Sequence, residues 1–127
     1  MEQYLMDTNV ISDYFSMSFS KTGMAFMDTA IDTVPNLSVI TQIELLCWKI
    51  DTIIEQKVKD FIGDSVILPI SSDVILHCVA LRKNKKIKTP DAIIGATAIA
   101  YNYTLLTNNE NDFSNIKRLK ILNLMKL

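Results

Sequence analysis

The chain has 127 residues, 49% hydrophobic and 21% charged, with 13 basic residues against 14 acidic ones. That size and balance suit one compact domain, residues 1–127, and exclude a uniformly basic nucleic-acid binder. With two distant cysteines and one histidine, the chain also lacks the soft ligands of a structural zinc site.

The N-terminal MEQYLMDTNV has neither the basic nor the apolar region of a signal peptide. No apolar run nears the roughly 20 residues that span a bilayer, so a soluble cytoplasmic protein is expected. Gln3 to Met6 reads as a short strand halted by the turn-forming Asp7-Thr8-Asn9. A helix is predicted from Val10 to Phe15, and a second, weaker helical pattern runs from Ser20 to Ile31. Leu37 to Ile40 reads as a strand. Thr41 then starts a helix, and a further helix spans Ile53 to Ile62, with Gly63 as its C-terminal stop.

Val66 to Ile70 reads as the third strand, and Ser71-Ser72 caps a helix over Asp73 to Lys83. Cys47 and Cys78 fall in apolar helical stretches and are expected as small buried hydrophobes, at home in a reducing compartment. Thr89-Pro90-Asp91 is a strong helix start, with the threonine as cap, proline first in the helix and an acid in the first turn. The helix it opens, AIIGATAIAY, is apolar almost all round and should be buried on several sides. Thr104 to Leu106 gives a fourth strand and Ile121 to Leu124 a fifth; the tail Leu119 to Leu127 reads as an edge strand. Strands alternating with helices predict a three-layer α/β/α sandwich with a mostly parallel sheet of about five strands. Ligands bind such sheets beyond the carboxyl ends of the strands.

Three acids stand at those ends: Asp7 after the first strand, Glu44 one helical turn after the second, and Asp112 a short loop after the fourth. Asp91 opens the helix leading into that fourth strand, so parallel pairing gathers all four. Each has a local alternative. Asp7 suits an Asx turn, Glu44 completes a capping box with Thr41, Asp91 complements a helix dipole, and Asp112 can cap a turn. Together, four carboxylates repel one another unless a cation intervenes, and hard oxygen ligands select Mg²⁺ or Mn²⁺. Such a cation acidifies water and neutralises charge on a phosphate, which makes a phosphodiester the best-fitting substrate.

On YLMDTNVIS, LSVITQIELL and TPDAIIGATAIAYNYTLLTNNENDFSNI, nearly the whole chain resembles a PIN domain of the VapC toxin type. The resemblance implies a Rossmann-like sandwich and a Mg²⁺- or Mn²⁺-dependent endoribonuclease leaving a 5′-phosphate. It also implies a homodimer and a cognate antitoxin whose tail enters the acidic site. It maps the catalytic metal ligands onto Asp7, Glu44, Asp91 and Asp112, with Asn9, Thr107 and Thr8 orienting them or the attacking water. Three positions depart from the family pattern. Gly95 replaces a common alanine, Cys47-Trp48 replaces a small-residue continuation, and Asn109 stands where a charge is frequent. The last leaves Glu110 as an alternative or additional acid beside Asp112.

The basic run holding Arg82, Lys83, Lys85 and Lys86 reads either as a solvated helix end or as an RNA backbone contact. His77 lies mid-helix and is expected to be packed or solvated, not catalytic. Two other readings compete: a DNA-directed 5′-nuclease, and a non-catalytic PIN-like module that binds RNA or protein. A phosphoacceptor receiver domain is set aside, because no lysine stands in the expected place after the last strands.

Overall fold

The computed structural model describes residues 2–127. Five short parallel strands, β1 (Tyr4–Met6), β2 (Asn36–Ser38), β3 (Val66–Leu68), β4 (Thr104–Leu106) and β5 (Ile121–Leu122), lie in the order β3-β2-β1-β4-β5. The helices are α1 (Thr8–Phe15), α2 (Lys21–Asp32), α3 (Val39–Leu46), α4 (Thr52–Gly63), α5 (Ser72–Asn84), α6 (Thr89–Tyr101) and α7 (Glu110–Phe113), with a closing 3₁₀ turn at Leu124–Lys126.

Successive strand side chains point to opposite faces, and the core divides accordingly. Met6, Leu37 and Leu106 pack on one face against Val10 and Ile11 of α1, Met27 of α2 and Val58 of α4. Leu5, Leu68 and Leu105 pack on the other against Ala92, Ile94 and Ala98 of α6, with Val74 and Leu81 of α5 outside them against Ala96 and Ile99. The result is the expected three-layer α/β/α sandwich, its sheet parallel throughout. Helix α6 is nearly all buried, as its apolar sequence requires. Leu5 pairs with Leu105 across β1 and β4. From β1 the chain first builds outward to β3 and then returns to add β4 and β5 on the other side. The strand order therefore reverses beside β1, and a crevice opens beyond its carboxyl end.

Several boundaries differ from the sequence reading. Helix α1 begins at Thr8, because Asp7 caps it by accepting the Thr8 N–H. Strand β2 stops at Ser38, whose hydroxyl accepts from the Thr41 N–H, so α3 starts at Val39 and not at Thr41. Glu44 thus lies beyond the first turn and cannot close the box foreseen with Thr41. Thr89 is the first helical residue of α6, not its cap; Lys88 holds that place without a side-chain bond. Gly63 is the last residue of α4, and no glycine adopts a left-handed conformation. Strands β3 and β5 are shorter than expected, because Pro69 lacks an N–H for the ladder and the tail turns into the 3₁₀ segment after Leu122. Cys78 is half-buried, but Cys47 is exposed at the end of α3, contrary to the expectation of a buried thiol.

Candidate functional site

Asp7 sits where β1 becomes α1 and is 4% exposed. Its Oδ1 accepts from the Thr8 N–H at 2.8 Å, and its Oδ2 accepts from Thr107 Oγ1 at 2.8 Å and from Asn9 Nδ2 at 3.3 Å. Thr107 is fully buried at the end of β4, and its hydroxyl also accepts from the Asn109 N–H at 3.0 Å. One carboxylate therefore locks the carboxyl ends of the two central strands. Burial pushes the Asp7 carboxyl up to about 6, the Thr107 and Thr8 bonds oppose the rise, and the Asp91 and Glu44 charges add to it.

Glu44 projects from α3, and its Oε1 accepts from Thr8 Oγ1 at 2.6 Å. That hydroxyl also lies 3.1 Å from Thr41 Oγ1, so Thr8 ties α1 to α3. Asp91, in the first turn of α6, is half-buried. Burial raises its pKa, as do the Asp112 and Glu44 charges and a hydrogen bond to Asp112 that favours the protonated form; Lys88 pulls the other way. Asp112 is carried by α7, where its Oδ2 accepts from Asn109 Nδ2 at 2.8 Å. Lys85 anchors that turn from outside, its Nζ donating to the carbonyls of Ser114 at 2.6 Å and Asn111 at 3.4 Å.

Asp7, Glu44 and Asp91 line a cleft of about 330 Å³ together with Thr8, Asn9 and Asn109. Asp112 is not among the residues that line it; its charge and a hydrogen bond act on Asp91. Glu110 points elsewhere: it is paired with Lys126 at 2.7 Å, which removes it from the acids gathered here. Sequence reasoning missed Ser12, Asp13 and Trp48, which also line the cleft. Asp13 accepts from Asn108 Nδ2, joining α1 to the loop after β4. Burial raises its pKa and that bond counters the rise. The spacing of Asn9, Ser12 and Asp13, three and four apart on one helix, was the available signal.

The basic run divides. Arg82 Nε donates to the Ile87 carbonyl at 3.3 Å and Lys85 holds α7, whereas Lys83 and Lys86 are exposed.

Among the described residues, neither ion pair involves Asp7, Glu44, Asp91 or Asp112. No three acidic, histidine or cysteine side chains there stand close enough to grip a cation as they are placed. Four hard carboxylates, mutually repelling and short of positive charge, nonetheless fit a divalent cation around which they could close.

Known proteins bear on this cleft. The PIN domain profile matches residues 4–119. The chain is similar to one in a toxin–antitoxin complex from Klebsiella pneumoniae, with 31% identity, 95% of this chain and 97% of that one covered, and a TM-score of 0.74. It shares the fold of a chain in FitAcB from Neisseria gonorrhoeae, with 24% identity, coverage of 98% and 100%, and a TM-score of 0.81. The same holds for VapBC2 from Rickettsia felis, solved bound to a DNA fragment from its promoter, with 23% identity, coverage of 94% and 97%, and a TM-score of 0.79. None of the curated proteins compared with the chain matches it.

Proposed function

The chain belongs to the PIN domain family, and we propose that it is a toxin endoribonuclease of the VapC type, dependent on Mg²⁺ or Mn²⁺. The observation that carries this reading is the buried Asp7, raised by desolvation and by two neighbouring carboxylates and served by no basic side chain in an ion pair. A group in that state calls for a cation.

Asp7, Glu44 and Asp91 would hold the cation from the cleft, with Asp112 reaching it directly or through water. Bound there, Mg²⁺ or Mn²⁺ supplies Lewis-acid stabilisation of the phosphate and acidifies water for attack. The other side chains orient this set. Thr107 and Asn9 fix the Asp7 carboxylate, Thr8 fixes Glu44, and Asn109 fixes Asp112. His77, the one histidine, lines a different cavity, so an imidazole has no part in proton transfer at this cleft.

RNA is the proposed substrate, cut to leave a 5′-phosphate, with residues 1–127 acting as one nuclease domain in the cytoplasm. No helix among the described residues is long and apolar enough to cross a membrane. The chain at 31% identity comes from a toxin–antitoxin complex, which supports a cognate antitoxin here. Exposed Ile43, Leu46, Ile53 and Ile54 on the consecutive helices α3 and α4 offer it apolar surface, and exposed Ile75, Leu76 and Val79 on α5 suit a homodimer.

The test is induced expression followed by mapping of new 5′-phosphate RNA ends, and then cleavage of the mapped RNA and its DNA counterpart in vitro with Mn²⁺ or with chelator. Asp91→Asn should fold and lose at least about a hundredfold in rate, a modest share of what a metal site contributes. Full activity in that variant, or equal cleavage of the DNA strand, refutes the reading.

A further inference from the structure

A cavity of about 690 Å³, larger than the acidic cleft, lies between α5, α6 and the residues 115–118 that follow α7. It falls within the roughly 300–1,000 Å³ of small-ligand sites. No carboxylate lines it. Its rim carries Lys85, Lys117 and Arg118 with the His77 imidazole, and neither ion pair among the described residues involves any of them. Its floor is apolar, made by Leu81, Ile99 and Ile116. Two amides complete it: Asn115, and Asn84, whose Nδ2 donates to the Ala80 carbonyl at 2.8 Å and leaves its Oδ1 to accept. Asn115 and Arg118 both have left-handed backbones, with φ of 61° and 69°, so the turn presenting these side chains has a defined, unusual shape.

Cations for a phosphate, an apolar floor and guanidinium for a flat ring, and amides for its polar edge are the parts that single-stranded RNA recognition uses. We propose that this cavity is a nucleoside-phosphate site that takes one unstacked nucleotide of the RNA strand cut at the acidic cleft. The strand part rests on the ribonuclease reading above. The position favours it. Lys85 lines the cavity and also bonds to carbonyls at Asn111 and Ser114 of the α7 turn, whose cap residue Asn109 lines the cleft, so one segment borders both. Occupancy there would select a base at a fixed step from the cut.

The test uses methyl-labelled full-length protein and three probes: inorganic phosphate, the four nucleoside monophosphates, and uncut hexanucleotides with Asp91→Asn protein. Methyl signals of Ile99 and Ile116 report the cavity, and fluorescence of Trp48, the one tryptophan, reports the acidic cleft. The expected result is saturable movement of both methyls by at least one monophosphate and more tightly by hexanucleotides. Lys117→Gln/Arg118→Gln should weaken that binding at least about tenfold, since it removes two cations and one charge-assisted contact alone is worth about that much. Equal movement by phosphate alone, no saturable movement at millimolar nucleotide, or unchanged binding in the double variant overturns the nucleotide site. Hexanucleotides that disturb only Trp48 overturn the strand assignment. RNA cleavage by the unaltered protein is scored separately, so loss of the cavity inference and loss of the ribonuclease reading are told apart.

Discussion

Replacing Asp7 with asparagine should stabilise the metal-free protein at alkaline pH, although it removes a carboxylate that makes three hydrogen bonds. The ordinary carboxyl value of 3.8 rises here to about 6. Below about pH 4 the group is protonated in both folded and unfolded chains, and it costs nothing. Between about pH 4 and 6 the folded chain holds the proton more tightly, so stability falls as pH rises. Above about pH 6 the full penalty applies, roughly two units at 1.36 kcal/mol each, or about 3 kcal/mol. Asparagine abolishes that penalty but keeps only part of the bonding. Its carbonyl can still accept from the Thr8 N–H, while its amide meets Asn9 Nδ2 and a Thr107 hydroxyl that must then find another acceptor. Two weakened bonds cost about 1 kcal/mol each, leaving a net gain of about 1 kcal/mol at pH 8. For a domain of this length that is roughly 3–6 °C in melting temperature. The assay is thermal unfolding of chelator-treated protein at pH 8 and pH 5, repeated with Mn²⁺. The variant should lead at pH 8, lose its lead at pH 5, and gain little from Mn²⁺, while the parent gains several degrees by mass action. A variant less stable than the parent at both pH values refutes the reasoning, because Asp7 would then be a cap and a crosslink whose charge is already satisfied.

Lys85→Met should leave the fold intact at a cost of about 1 kcal/mol, since two carbonyls lose a charged donor at a half-exposed position. Because Lys85 positions α7, the Mn²⁺ concentration at half-maximal melting shift should rise several-fold; an unchanged midpoint removes Lys85 from the site. Lys83→Gln/Lys86→Gln tests the exposed cations that have no structural task. The slope of log affinity for single-stranded RNA against log salt should fall by about 1.4 if both meet phosphates, and should not move if they are merely solvated.

The fold was legible because α/β layering writes itself in alternation: five short apolar runs alternate with helical patterns, and α6 announced its burial by having no polar face. Boundaries were read less well where a side chain competes for two roles. Asp7 was assigned to the turn before α1 yet proves to be its cap, and Ser38 captured the helix start from Thr41. That Asp7, Glu44 and Asp91 share one cleft was legible from strand ends and parallel pairing. The attachment of Asp112 through Asn109, the diversion of Glu110 to Lys126 and the part of Asp13 were not. Each depends on where a loop or a tail falls in space, which no periodicity encodes. The exposed Cys47 shows the same limit: an apolar neighbourhood in sequence suggests burial, but the residue caps the end of α3 and its thiol is exposed.

The pairing of β1 with β4 also sets an order in time. Asp7 and the Thr107 that steadies it are 100 residues apart, and at about 5–20 residues per second a ribosome takes roughly 5–20 s to travel between them. Until β4 emerges, the first strand has no partner on that side, and neither Thr107 nor the Asp112 turn exists to complete the cleft. A nascent chain that stops short of β4 and Asp112 therefore holds Asp7 and Glu44 without the β4 pairing and without the turn that carries Asp112.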